Sequence, residues 1–177
     1  MFPIIIAGEI GFWVLLALAL AVRYLLHRRG ASTVLLLALP LVDLVILGAT
    51  VADLRRGTVA DWSHGLAASY VGFSVGHGHS LVRWTDAHAA HRFAGAPRPP
   101  KPPGYGRGRA VHEWRIFGRT LVSAAITVTL IAAVQWLVGD DARTAGLDPW
   151  YPRVATVTAI GLAVAASYTL FPKREKG

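Results

Sequence analysis

The chain has 177 residues, of which 54% are hydrophobic and 16% charged, with a formal charge of +8 and no cysteine. That mixture is unusual for a chain that must keep a surface in water, and the chain's long uncharged windows leave too few residues outside them for a large soluble catalytic domain, which is therefore excluded. Disulfides, thiolate catalysis and cysteine-held metal clusters are excluded by the missing thiols.

Apart from Glu9 and Asp43, formally charged residues are absent from five windows: 3–22, 31–51, 65–82, 120–139 and 154–172. About 20 residues rising 1.5 Å each cross a hydrocarbon core of about 30 Å, so each window predicts a transmembrane helix. The expected fold is all-α, a single membrane domain over 1–177 built as a bundle of five transmembrane helices.

The first window, PIIIAGEIGFWVLLALALAV, opens without Lys or Arg. An export signal has a basic stretch there, so the segment reads as a retained helix. Pro40 and Gly48 lie in the second window, where neighbouring helices can repair a kink. The third, GLAASYVGFSVGHGHSLV, is the shortest and most polar. Such a helix belongs inside a bundle, with its polar groups satisfied by protein. Ala68, Gly72, Gly76 and Ser80 recur along it every four residues, a small-residue stripe that lets helices approach closely. Packing within the chain is the first reading of this stripe, and a homodimer face the second.

Between the third and fourth windows runs a cytoplasmic loop, 83–119. RWTDAHAAHRFAGA predicts a short interfacial helix, PRPPKPPGYGRGR an extended polyproline-II tract loosened by glycines, and RAVHEWRIFGR a second short segment. Arg109 and Glu113, four apart, form a helix-surface pair contributing about 0.2–0.5 kcal/mol. The loop reads as a stiff connector held at anionic lipid headgroups by its basic residues, with proline recognition by an aromatic-lined groove as the alternative.

Charge sets the orientation. Five crossings put Arg23, Arg28 and Arg29, the eight basic residues of 83–119, and Lys173, Arg174 and Lys176 on one side, leaving Arg55, Arg56, Arg143 and Arg153 on the other. The positive-inside bias then places the N-terminus outside and the C-terminus in the cytoplasm. Because this basicity follows the topology, no nucleic-acid partner is expected. Trp62, Trp136, Trp150 and Tyr151 fall at the outer boundary and Trp84 and Trp114 at the inner one, as in interfacial aromatic belts.

Polar residues at membrane depth are the functional candidates. Glu9, Asp43, Ser74, His77 and His79 form a candidate proton relay, since carboxylates and imidazoles exchange protons and hydroxyls orient them. A hydrogen-bonded helix interface is the competing reading. His77, His79, His88 and His91 are the metal or haem candidates, although His77 and His79 project about 200° apart on a helix. No nucleophile triad, phosphate-cradling loop or zinc-hydrolase motif is present, so no catalytic residue is assigned; the chain reads as a non-enzyme, with an enzyme whose Asp86, His88, His91 and His112 converge at the cytoplasmic interface as the alternative.

The tract DWSHGLAASYVGFSVGHGHSLVRWTDAHAAHRFAGAPRPPKPPGYG and the later LFPK resemble uncharacterised small polytopic inner-membrane proteins of bacteria, and the Ala/Arg/Gly/Val-rich composition resembles actinobacterial members. The resemblance spans 40–172. It implies a multi-pass protein of the bacterial plasma membrane and no catalytic or ligand role. The expected function is an integral membrane accessory or structural protein, a homo-oligomer or a subunit of a larger membrane complex. It would contact membrane lipids and carry no cofactor. A small proton-linked transporter and a histidine-dependent metal or haem protein are the alternatives.

Overall fold

The computed structural model describes residues 51–172, preceded by residues 14, 17–19, 21–23, 26, 30, 32, 35, 45 and 47–49. Glu9 and Asp43 lie outside the described residues, within which the regular structure is helical and no strand occurs.

Residues 51–55 end a helix, and Gly57 turns the chain at φ 109°. Helix α1 (Trp62–Ala94) begins at Asp61, whose carboxylate accepts from the Ser63 N–H at 2.9 Å while its own N–H donates to His64 Nδ1 at 3.1 Å. This is a capping box with histidine in the place usually held by Glu or Gln. A protonated His64 Nδ1 would instead donate to the Asp61 carboxylate, 2.7 Å away.

Burial would raise the Asp61 pKa, but hydrogen bonds from Ser63 and His64, and the charge His64 can carry, outweigh it and lower the carboxyl below its ordinary range. A carboxyl lowered in the folded state stabilises above its unfolded pKa, and loses that contribution as pH falls through the folded value. The first turn of α1 should therefore lose amide protection below about pH 4. Asp61→Ala should cost about 1 kcal/mol at neutral pH and abolish this acid step. Hydrogen exchange at Ser63 and His64 measures both, and flat protection from neutral to acid pH in the native protein would refute the prediction.

Helix α1 ends at Gly95, which adopts the left-handed φ of 65° and donates its N–H to the Ala90 carbonyl. Helix α2 (Gly106–Val138) returns antiparallel and is closed by Gly139 in the same conformation. A short helix α3 (Asp141–Thr144), capped by Asp140, leads through a 3₁₀ turn (Ala145–Leu147) into α4 (Trp150–Leu170). Pro152 is tolerated because it occupies the first turn, where its missing N–H has no helical partner. Helix α2 is the middle member, packed against α1 on one side and α4 on the other.

The ends of the bundle are tied differently. At one end, Leu47 and Leu54 pack with Ala60, Ala68, Ile131, Val134, Leu147 and Trp150. There Arg55 donates from Nε and a terminal nitrogen to the Leu137 carbonyl at 3.1 and 2.9 Å, satisfying an acceptor left open by the last turn of α2. At the other end, Arg23 grips Asp86 of α1 through a two-point fork at 2.7 and 2.8 Å. Trp114 of α2 donates there to Thr169 of α4 at 2.9 Å.

Helices α1 and α2 each have 33 residues, about 50 Å, so each exceeds the hydrocarbon core by about 20 Å. The excess lies at the charged end, over 83–94 and 106–119. Sequence reading treats these stretches as two separate interfacial segments, whereas they continue the helices without a break. No proline interrupts either stretch, and the first strong breakers are Gly95 and the prolines of 97–103. Glu113 also differs from expectation. Its pairing with Arg109 is present, but Glu113 is buried and the Arg109 guanidinium covers the Tyr168 ring at 4.9 Å, so the pair lies against α4.

Candidate functional site

Where α1 and α4 diverge across α2, they leave an open-sided groove of about 360 Å³. Ser69, Phe73 and His77 line it from α1, one turn apart. Thr120, Ser123 and Thr127 line its floor, and Trp150, Arg153, Val154 and Val157 its far wall.

His77 is the polar centre. Its Nδ1 lies 3.1 Å from Ser123 Oγ and its Nε2 3.5 Å from Thr120 Oγ1, while its ring stacks on Phe73 with centroids 5.0 Å apart. Thr120 already donates its hydroxyl proton to the Ile116 carbonyl at 3.2 Å, so towards His77 it can only accept. In the neutral ring this places the proton on Nε2 and leaves Nδ1 to accept from Ser123. The imidazole is thereby held across the α1–α2 seam by two hydroxyls of α2.

The small-residue stripe faces the same seam. A Cβ on Gly72 would lie 2.6 Å from the Ser123 carbonyl oxygen, and one on Gly76 2.7 Å from that of Arg119. Ala68 is fully buried, and Ser80 donates to the His77 carbonyl at 2.8 Å. Gly72 and Gly76 thus mark a close approach of α1 to α2 within one chain, with Ala68 in the adjoining core.

The other candidates are not gathered here. His79 is exposed, on a different side of α1 from His77, and Ser74 is half-buried. Glu9 and Asp43 lie outside the described residues, so the relay can be followed only through His77, Ser123 and Thr120. His88 and His91 engage backbone: their Nδ1 atoms meet the carbonyls of Trp84 at 2.8 Å and Ala96 at 2.7 Å. Among the described residues, no group of three His, Cys, Asp or Glu side chains is placed to hold a metal ion. Sequence reading missed Thr120, Ser123 and Thr127, although their spacing of three and then four puts three hydroxyls on one face of an apolar helix.

The surface identifies the medium. Helix α4 turns Val157, Ile160, Leu162 and Val164 outward, and α2 does the same with Leu121 and Val122. In water these outward aliphatic side chains would be an association liability, whereas in hydrocarbon they are the expected exterior. Gly106–Val138 and Asp141–Leu170 are long and apolar enough to cross a membrane, while α1 has the length but is diluted by its histidines, glycines and hydroxyls. The fold defines an all-helical integral membrane protein.

Comparison with known proteins agrees. The chain is 32% identical over 172 residues to the "Uncharacterized membrane protein YmcC" of Bacillus subtilis (strain 168), a match covering 97% of this chain and 92% of that one. It belongs to the same family as that membrane protein. No family model matches the chain, and no solved structure matches it.

Proposed function

We propose that this protein is a five-span accessory or structural component of the bacterial plasma membrane, with its N-terminus outside and C-terminus cytoplasmic, acting as a subunit of a larger membrane assembly. The observation that carries this reading is how its polar candidates are spent. His77 joins α1 to α2, Asp86 is gripped by Arg23, His88 meets the Trp84 carbonyl of its own helix and His91 the Ala96 carbonyl just beyond it. The first two contacts hold helices together; a conducted proton needs groups that reorient and exchange. A docking face is supplied by α4, which buries only Trp150 and Ala165.

The two tied ends support the proposed alternation of sides, and the positive-inside bias supplies its direction. Arg23, at the inner flank of the first window, meets Asp86 at the inner flank of the third, and Arg55 meets Leu137 at the outer one. Arg83, Arg115 and Arg119 would then stand at the level of anionic headgroups.

Detergent-free extraction of native membranes into polymer-bounded discs tests the reading. The 19.0 kDa chain should leave the membrane in particles containing a further, stoichiometric protein, and topology reporters after residues 30, 57, 100, 145 and 177 should read inside, outside, inside, outside and inside. Discs holding this chain alone would reject the assembly role. An external reporter after residue 100 would reject the topology.

A further inference from the structure

The connection between α1 and α2 is more constrained than a loop of its length requires. Every residue from Ala96 to Pro103 is either a proline or directly precedes one. Proline fixes φ near −65°, and the residue before it is driven out of the helical region, which biases 97–103 towards polyproline-II geometry, about 22 Å long when fully extended. Three residues per turn then sort its side chains into edges. Pro97, Pro100 and Pro103 form one edge, Pro99 and Pro102 a second, and Arg98 and Lys101 a third.

Both ends of this rod are fastened. His91 reaches the Ala96 carbonyl at 2.7 Å, just beyond the left-handed Gly95. At the far end Pro103 rests on the first turn of α2, where a Cβ on Gly108 would come within 3.3 Å of it. Pro97, Pro100, Pro102 and Pro103 are exposed, as are Arg98, Lys101 and Tyr105. The two carboxylates of 83–119, Asp86 and Glu113, are already paired with Arg23 and Arg109, leaving the positive edge without local neutralisation.

Helix length decides between lipid and protein. Residues 83–94 carry the rod about 18 Å past the hydrocarbon edge, and the headgroup layer accounts for only about 5–7 Å of that. The remaining distance exceeds the Debye length of about 8 Å at physiological salt, so headgroup charge is largely screened at Arg98 and Lys101.

We propose that residues 97–105 are a docking ligand for a soluble cytoplasmic protein domain that reads polyproline-II: an aromatic-lined groove for the proline edges, with an acidic rim facing Arg98 and Lys101. This rests on the cytoplasmic placement of the loop proposed above. A rod already ordered at both ends loses little conformational freedom on docking, which favours binding by so short a segment.

The test uses the full chain in discs of zwitterionic lipid, with a fluorescent SH3 domain chosen because it binds a free peptide of residues 95–106. The chain should bind this probe within about threefold of the free peptide, and Pro100→Ala with Pro103→Ala, or Arg98→Glu with Lys101→Glu, should weaken binding at least about tenfold. In cells, a photo-crosslinker at position 104 should capture a soluble protein, and the same proline changes should abolish that capture. A probe that binds the peptide but not the chain, or crosslinks reaching only lipid, only RNA or nothing, would overturn the proposal. A cysteine placed at Gly104, in a chain with no other, separates the two failures. Labelling by an impermeant maleimide from the outer face would reject the orientation, whereas inner labelling without capture would reject the docking alone.

Discussion

Gly72→Leu and Gly76→Leu should each break the α1–α2 hairpin, with losses of about 3 kcal/mol or more. The obstacle is backbone. At Gly72 even a methyl carbon would lie 2.6 Å from the Ser123 carbonyl oxygen, and at Gly76 2.7 Å from that of Arg119. A flexible side chain could swing aside, but a helical carbonyl moves only with its helix, so α1 and α2 would have to separate along the whole seam. His77 would lose Ser123 and Thr120 in the same movement. Gly78, two residues on, is the internal control: a Cβ there meets nothing within 4 Å, and Gly78→Ala should be neutral or stabilising by up to about 1 kcal/mol. Thermal unfolding in mild detergent, with the monodisperse fraction as a second readout, compares the three. Equal stability of Gly76→Leu and Gly78→Ala would mean that the seam is not where α1 and α2 meet.

Trp150→Ala should have the next largest effect, about 3 kcal/mol, because one buried ring joins three parts of the fold. Trp150 fills the notch that Gly65 leaves in α1, where a Cβ on Gly65 would clash with the indole. It tilts against Trp62 with ring centroids 5.6 Å apart, carries the Arg153 guanidinium 5.3 Å from its ring, and belongs to the cluster with Leu54, Ile131 and Leu147. Removing it should also extend the groove. Trp150→Phe separates packing from polarity: the indole N–H is buried without a partner, so its loss costs no hydrogen bond and the variant should stay within about 1.5 kcal/mol of the parent. Unfolding in mixed micelles measures both changes. If Ala and Phe proved equally costly, the ring's packing would not be what matters.

Legibility in the sequence followed the kind of constraint. Lack of charge is local: the window at 65–82 falls inside α1, 120–139 overruns α2 only by its capping Gly139, and 154–172 overlaps α4. The stripe at Ala68, Gly72, Gly76 and Ser80 was visible because only small side chains repeat there. The helix ends were not: counting charge stops α1 at Arg83, whereas a helix stops where its backbone can no longer hydrogen-bond, at Gly95. Nor could the partners of His77 be read. Which face of α2 meets α1 depends on the rotation of both helices, and the hydroxyls at 120, 123 and 127 become a pattern only once that rotation is known. Glu113 shows the same limit, since its spacing from Arg109 predicts the ion pair without revealing that α4 covers it.

The antiparallel course of α1 and α2 determines the source of the field at the hairpin tip. The C-terminal end of one helix, with its partial negative charge, lies beside the N-terminal end of the other, with its partial positive charge, so the two macrodipoles largely cancel there. What remains comes from side chains, chiefly Arg98, Lys101 and Arg107. A potential made by a few solvated cations reaches only about 8 Å at physiological ionic strength, so the tip can select a partner in contact with it but cannot gather one from a distance.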